Sequence, residues 1–363
     1  MLLASLLLLT GYLIFLLWEK RENDRALRSF RHVIHVSGIR GKTGVCRLLD
    51  AHLRGAGYRV FTKTTGSVPA YIDTDGVERA VRRWGMASIG EQLAMIRQAS
   101  REGAEILILE CMAVRPELQR VSQREMVKGD VNVITNVRYD HIFEMGETLE
   151  DIAGALAGVL PAGGALFTAD EAWFPYFQKR CQVLGSRAFL CRGETGEDEN
   201  QAVARAVGAY LGVPPETFPD HIQACRRDFG ARHLYRREDG QVFVNLFSAN
   251  DPQSTRALLE RYLPDLSEAV LLYNNRADRP DRLLLFARRF FPGTACGKVL
   301  VMGESRSLAC RLLRRAGCPS VEAVKDWRAA LAAAEGAPLA GVGNIKGQAA
   351  RMVAWFEERG DEA

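Results

Sequence analysis

Residues 35–43 read His-Val-Ser-Gly-Ile-Arg-Gly-Lys-Thr. Gly38, Gly41, Lys42 and Thr43 make a GxxGK[ST] string, the short form of a phosphate loop. The full Walker spacing is not met, because residue 36 is Val. An apolar run precedes the string and an amphipathic one follows it. That is the setting such a loop needs, with backbone N–H groups facing a phosphate at a helix N-terminus. Lys42 supplies charge to the β- and γ-phosphates, and the Thr43 hydroxyl can ligate Mg²⁺. Two further apolar runs end in polar residues: 106–110 ends at Glu110, and 131–136 ends at Asn136, followed by Asp140-His141. In an open α/β sheet, ligands bind beyond the carboxyl ends of strands. Glu110, Asn136 and His141 are therefore expected to gather near the loop, where a carboxylate and an imidazole can hold a divalent cation. Taken singly, Glu110 could equally cap a helix, and His141 could equally bond loop backbone.

These side chains need a sheet to carry them, and the hydrophobic pattern supplies one. Strands are expected at 33–36, 58–63, 106–110, 131–136 and 165–168. A helical stripe of Val45, Leu48, Leu49 and Leu53 marks a helix over 43–56. The Asp-Gly turn at 73–76 suggests a hairpin. Residues 88–91 read as a capping box opening a helix to about 102, and 148–151 open another that ends at 161–164. Helices at 200–211 and 216–227 close the first half. Residues 229–232 read as a hinge, after which the alternation restarts. Strands at 242–246, 269–273, 298–302 and 339–342 are each followed by a helix, at 253–262, 279–290, 305–315 and 346–357. Repeated βα units imply a doubly wound parallel sheet.

The first eighteen residues carry no charged side chain and end in Trp18. As a helix they span about 27 Å, just under the roughly 30 Å hydrocarbon core. Five basic residues (Lys20, Arg21, Arg25, Arg28, Arg31) follow against three acidic ones, which places the rest of the chain in the cytoplasm. A cleaved signal peptide would want a basic leading region and a small-residue cleavage site, and neither is present. A helix packed against a partner is the remaining alternative. At 363 residues the chain is too long for one core. With 47% hydrophobic and 25% charged residues it is not a disordered protein. A net charge of +4 is too balanced to make nucleic acid a partner. Eight scattered cysteines without a CxxC pair argue against a zinc ribbon or a disulfide framework.

The motifs GIRGKT, KTTG (63–66), IGEQ (89–92), LECMAV (109–114), TNVRYDH (135–141), SANDPQST (248–255), NNRADR (274–279) and GVGNI (341–345) occur in this order. Together they make the chain similar to the ligase subunit of bacterial poly-γ-glutamate synthase, a membrane-linked relative of the Mur ligases and folylpolyglutamate synthases. The similarity runs from the N-terminus to about residue 350. It implies an α/β chain in four parts: a transmembrane anchor at 1–18, a basic juxtamembrane linker at 19–30, a P-loop Mur-ligase-like ATPase domain at 31–230, and a C-terminal doubly wound ligase domain at 231–363. The implied activity is ATP-dependent amide-bond formation through an acyl phosphate, with Mg²⁺. The implied substrates are glutamate and the growing poly-γ-glutamate chain. A small multi-span membrane subunit of the PgsC/CapC kind is the implied partner, and a homo-oligomer is compatible. The implied location is the cell membrane, single-pass, with cytoplasmic catalytic domains.

Position by position, the resemblance implies that Gly38, Arg40, Gly41 and Lys42 hold the triphosphate. Thr43 would bind one Mg²⁺, and Glu110 and His141 a second. Asn136 would position nucleotide or metal. Asn250 and Asp251 match the segment that starts the ligase domain. Asn274, Arg276 and Asp278 match residues that reach the nucleotide when the domains close. Lys42, His141 and Arg276 would carry catalysis. Outside that family context, an Arg-x-Asp is commonly a surface salt bridge and Asn-Asp-Pro commonly a turn. The chain also departs from the pattern. Many Mur ligases carry a carbamylated lysine in the helix after the Asp-His motif, and residues 148–160 contain no Lys. Gly44 stands where the family often has Thr or Ser. Two alternatives remain: a Mur-type ligase of another amino acid or peptide, and a membrane-tethered P-loop protein that binds nucleotide without making a bond. The second has no need of NNRADR or of a second α/β domain.

Overall fold

The N-terminal apolar stretch forms one helix, Leu2–Leu27, whose mean hydropathy reaches 2.0 and whose apolar window is entirely exposed. No Gly or Pro interrupts it after Gly11, and it runs straight through the charged residues that follow Trp18. Its last turns pack on the first unit of the chain. Asn23 is buried and donates to the Met126 carbonyl at 2.8 Å, Asp24 pairs with Lys128 at 2.6 Å, and Ala26 joins the core. Where a linker was expected from residue 19, the chain is helical to residue 27. The computed structural model describes residues 2–66, 69–83, 85, 87–194, 198–223, 225, 229–237, 240–267, 269–294 and 297–359. Cys296 and the end of the helix expected at 216–227 lie outside the described residues. The described cysteines form no disulfide.

The chain divides into two units, Met1–Val137 with Glu150–Arg226, and Arg138–Leu149 with Arg227–Ala363. The first holds β1 (His32–Ser37), β2 (Val60–Thr64), β3 (Ala70–Ile72), β4 (Glu78–Ala80), β5 (Ile106–Glu110), β6 (Val131–Ile134), β7 (Ala165–Thr168) and β8 (Arg187–Leu190). They form one sheet in the order β4-β3-β2-β5-β1-β6-β7-β8, parallel apart from β3, which runs antiparallel to both β2 and β4. Alternate side chains point to opposite faces. Ile34, Val36, Ile106, Ile108, Val131 and Val133 pack under the helices Lys42–Gly55 and Glu199–Tyr210. Val33, Phe61, Leu107 and Leu109 pack under Glu91–Arg101 and Ala26. Val36 lies beside Glu110 and Ser37 beside Ile134 in the ladders, so the carboxyl ends of β1, β5 and β6 fall level with one another.

The second unit holds β9 (Leu234–Arg236), β10 (Val242–Asn245), β11 (Val270–Asn275), β12 (Lys298–Gly303), β13 (Val321–Ala323) and β14 (Leu339–Gly343). Their order is β13-β12-β11-β14-β10-β9, with only β9 antiparallel. The last strand in sequence to pair, β14, sits between β10 and β11. The segment Arg138–Leu149, with the short helix Ile142–Met145, packs with this unit.

Local departures from expectation have local causes. The helix at Glu91 starts from Gly90 without a side-chain cap; the Ser88 hydroxyl instead accepts from the Gly90 N–H at 3.3 Å, so the capping box at 88–91 does not form. A box does form at Asp198 with Gln201, opening Glu199–Tyr210. The helix expected from 216 is a 3₁₀ turn, Pro215–Thr217, and a short helix, Phe218–Ile222, each started by a proline. The helix expected at 279–290 is α over Pro280–Leu285 and π over Phe286–Phe290. Strands β8, β9 and β13 are short and partly exposed, without the continuous apolar run that marks the central strands.

Candidate active site

The phosphate loop leaves the carboxyl end of β1 and turns directly into the helix Lys42–Gly55. Gly38 has φ +120, and a Cβ there would meet Thr135 Oγ1 at 2.1 Å, so the position requires glycine. Gly41, with φ +81, is the N-cap and contributes no side-chain acceptor to the first helical turn. Lys42 arches back over the loop, its Nζ donating to the carbonyls of Gly38 at 2.8 Å and Ile39 at 3.3 Å. Those acceptors are neutral, and an ammonium exchanges them readily for phosphate oxygens.

Beside the loop, one oxygen of Glu110, Oε2, accepts from the Thr43 hydroxyl at 2.9 Å and from the Thr65 N–H at 2.6 Å. Glu110 is 3% exposed. A hydroxyl and a carboxylate in contact are the hard oxygen donors that a magnesium-sized cation takes, so this pair fits a divalent ion. Asn136 clasps Arg40 from both sides: its Oδ1 accepts from the Arg40 N–H at 3.0 Å, and its Nδ2 donates to the Arg40 carbonyl at 3.2 Å. Asn136 thus shapes the loop through its backbone.

Two residues of the quoted motifs, given no role from sequence, meet on this unit. Lys63 is fully buried and its Nζ lies 2.7 Å from Glu91, which Arg83 holds at 2.6 Å on the other side. Burial pushes the Glu91 carboxyl up, but hydrogen bonds from Arg83 and Lys63 outweigh it and hold the group below its ordinary range. A lysine near the end of an otherwise buried strand, followed by a glutamate in the next helix's first turn, is the signal that marks this pair. His35, on β1, is also fully buried; burial lowers its pKa to about 4, against the Gln123 hydrogen bond that raises it. Burial likewise pushes the Cys111 thiol up, which keeps it protonated and inert.

In the second unit the strand ends carry a network of charged side chains. Asp140 is 1% exposed and sits between two guanidiniums. Arg279 Nη2 donates to its Oδ1 at 2.6 Å, and Arg282 Nη2 to its Oδ2 at 3.0 Å. Arg279 also pairs with Asp281 at 3.0 Å. Arg282 Nη1 donates to Asn250 Oδ1 at 3.0 Å and to Asn344 Oδ1. Asp140, His141 and Asp281 bring donor atoms within 4.8 Å of one another, but arginines already balance both carboxylates, and a cation there would have to replace them. His141 has φ +52 and a partly exposed imidazole within 4 Å of Asp140 and Glu144.

The remaining expected residues serve local ends. Asn250 has φ +60. Asp251 caps the helix Pro252–Tyr262, accepting from the Ser254 N–H at 2.8 Å. Asn274 is buried and commits its amide to the carbonyls of Asn344 and Lys346 at 2.5 and 2.9 Å. Arg276 grips Asp278 with two hydrogen bonds of 2.9 and 2.5 Å, and these bonds hold the Asp278 carboxyl below its ordinary range. The structure therefore brings Arg40, Thr43, Glu110 and Asn136 together around the loop of the first unit. It carries His141 on the segment that packs with the second.

A phosphate loop on a parallel sheet, followed by a second doubly wound unit, is the architecture of the Mur ligase superfamily. The Mur ligase middle domain matches residues 36–210, and the C-terminal domain of poly-gamma-glutamate synthase CapB matches residues 232–359. The chain is 30% identical to the capsule biosynthesis protein CapB of Bacillus anthracis, over 94% of this chain and 80% of that one. It is also 30% identical to the PGA synthase CapB of Bacillus subtilis, over 79% and 78%. Among solved structures, the bifunctional folylpolyglutamate synthase/dihydrofolate synthase of Yersinia pestis, complexed with AMPPNP and Mn ion, superposes with a TM-score of 0.68 at 18% identity, covering 93% of this chain and 92% of that one. The chain belongs to the CapB/PgsB-type poly-γ-glutamate synthase family. It is an ATP-dependent amide ligase of the Mur-ligase type acting on an amino-acid substrate.

Proposed function

We propose that the chain joins glutamate into poly-γ-glutamate, using ATP and Mg²⁺, as the ligase of a membrane synthase. One observation carries the reading: the Thr43 hydroxyl meets the strand-end carboxylate of Glu110 beside a phosphate loop, in a chain that shares 30% identity with a PGA synthase. Bringing a carboxylate up to a triphosphate sets anion against anion, so neutralisation and positioning carry most of the catalysis. Lys42, with the loop amides at Gly38 and Gly41, supplies positive charge to the phosphates. Thr43 and Glu110 would hold Mg²⁺, and His141 would serve as a metal ligand on the segment that packs with the second unit; when bound, the metal neutralises phosphate charge. The glutamate carboxylate attacks the γ-phosphorus and ADP leaves. The incoming amine then attacks the acyl carbon and phosphate leaves with the carboxylate oxygen. Arg276 would exchange Asp278 for phosphate oxygens during turnover.

The exposed apolar stretch of Leu2–Leu27 supports a single-pass anchor, and the basic residues after Trp18 support cytoplasmic catalytic units. A small multi-span subunit of the PgsC/CapC kind would complete the synthase. The test is ADP release in membranes carrying the full chain, with each amino acid supplied in turn. Glutamate alone should support turnover and a γ-linked product. Turnover with a different amino acid and not with glutamate would replace the substrate while leaving the ligase.

A further inference from the structure

We infer that Arg282 is a positioning residue for the ligase site: its buried guanidinium sets His141 by holding Asp140. The inference rests on the ligase reading above, and it names a residue outside the motif NNRADR, which ends at Arg279.

His141 adopts a left-handed backbone with φ +52, which a β-carbon disfavours and which persists only where the surroundings impose it. The imposing contact is identifiable. Asp140 Oδ1 accepts from the His141 N–H at 2.9 Å, so the orientation of this carboxylate fixes the backbone of the next residue. The carboxylate is oriented in turn by Arg282 Nη2 at 3.0 Å on Oδ2 and by Arg279 Nη2 at 2.6 Å on Oδ1. Arg282 is itself only 4% exposed. Its other terminal nitrogen donates to Asn250 Oδ1 at 3.0 Å and to Asn344 Oδ1, which pin the plane of the guanidinium. Asn344 is locked into the sheet end by donating to the Asn274 carbonyl at 3.1 Å. The chain of contacts thus runs from the ends of β11 and β14, through Asn344 and Arg282, to Asp140 and His141.

The chemistry of the side chain matters to this arrangement. A guanidinium presents donors in a rigid planar fork and reaches Asp140, Asn250 and Asn344 at once. A lysine at 282 keeps the charge but is a single flexible donor centre, and it leaves the carboxylate free to turn about its own axis. Shape and charge are therefore separable at this position. The network joins segments that carry the expected site residues His141, Asn250 and Asn274 with Asn344 of the motif GVGNI, and none of its members belongs to the apolar cores of the unit.

The experiment is a double-mutant cycle on the full-length chain, with Arg282→Lys and His141→Ala made singly and together. Glutamate-dependent ADP release, ATP KM, melting temperature and direct Mn²⁺ titration in the presence of a non-hydrolysable ATP analogue are measured for each. Arg282→Lys should lower kcat on the order of 10²-fold, as misplacement of a catalytic group does, with ATP KM changed less than about 2-fold. It should weaken Mn²⁺ binding as His141→Ala does. Added to His141→Ala, it should cost less than about 3-fold more, because its effect passes through that histidine. Effects that multiply in the double variant, or a lowered melting temperature with unchanged kcat and Mn²⁺ binding, would overturn the inference. Asp140→Asn, nearly isosteric, enters the same cycle and decides the matter if Arg282→Lys does not fold. Absence of glutamate-dependent turnover in the unmodified chain would count against the ligase substrate alone, since the Mn²⁺ arm still reads the coupling of Arg282 to His141.

Discussion

In the first unit, the loop lysine rests on two neutral carbonyls and the first turn of its helix has a glycine for a cap. In the second, three carboxylates near the strand ends are held by arginines: Asp140 and Asp281 share Arg279, Asp140 also takes Arg282, and Asp278 takes Arg276. The contrast separates two uses of charge. Positive groups held by weak neutral partners are ready to change partner when an anion arrives. Positive groups held by buried carboxylates set geometry, because breaking such a pair strands a charge out of water. Arg276 falls between these cases, since its partner Asp278 is largely exposed and that pair exchanges at little cost.

This contrast fails most visibly if Lys42 is dispensable. Lys42→Ala should lower glutamate-dependent ADP release by on the order of 10³-fold or more, while circular dichroism and melting stay close to those of the unmodified chain. A well-folded variant with undiminished turnover would remove the loop from the chemistry. Next in size is Arg276→Lys. A lysine cannot reproduce the fork, so turnover should fall on the order of 10²-fold while ATP affinity is kept. Equal losses of affinity and turnover would place Arg276 with the groups that bind the ground state. Glu110→Gln sharpens the first half of the comparison. It keeps the shape that meets Thr43 but removes the negative charge, so the half-saturating Mg²⁺ concentration should rise on the order of 10-fold. An unchanged Mg²⁺ dependence would leave the pair as a purely structural contact.

A further expected effect is on stability. His35 ordinarily titrates at 6.5 and is held near 4 in the folded chain. Between those values the unfolded chain carries a proton that the folded chain does not. The contribution is therefore present above about 6.5 and is lost as pH falls toward 4. The whole change is on the order of 3 kcal/mol. Denaturant melts at pH 7 and pH 4.5 should differ less in His35→Gln than in the unmodified chain. An equal difference in both would assign the acid sensitivity elsewhere.

How far each region could be read beforehand follows from how local its chemistry is. The loop at 38–43 is contiguous, and Glu110 closes an uninterrupted apolar run, so strand, loop and acid were legible without a structure. The arginine network was not. Arg282 meets partners at 140, 250 and 344, which come together because β14 inserts between β10 and β11, and no local pattern announces that order. Lys63 and Glu91 carried a signal, a lysine in a strand and an acid in the next helix's first turn, but they lie 28 residues apart and pair only once the strand and that helix have packed. At the N-terminus, composition marked the apolar stretch, but its charged continuation read as a linker. The missing signal was the lack of any Gly or Pro between Trp18 and Leu27, together with Asn23 and Ala26 on the side that packs.

The central claim is that the loop and its metal-competent pair drive carboxylate phosphorylation rather than plain ATP hydrolysis. Glutamate labelled with ¹⁸O in its γ-carboxylate tests this directly, with released phosphate analysed by mass. An acyl phosphate requires that each bond formed send one carboxylate oxygen into the phosphate, so labelled phosphate should appear in step with ADP and only when glutamate is present. Unlabelled phosphate released alongside ADP and γ-linked product would mean that water attacks the γ-phosphorus, and it would contradict the account.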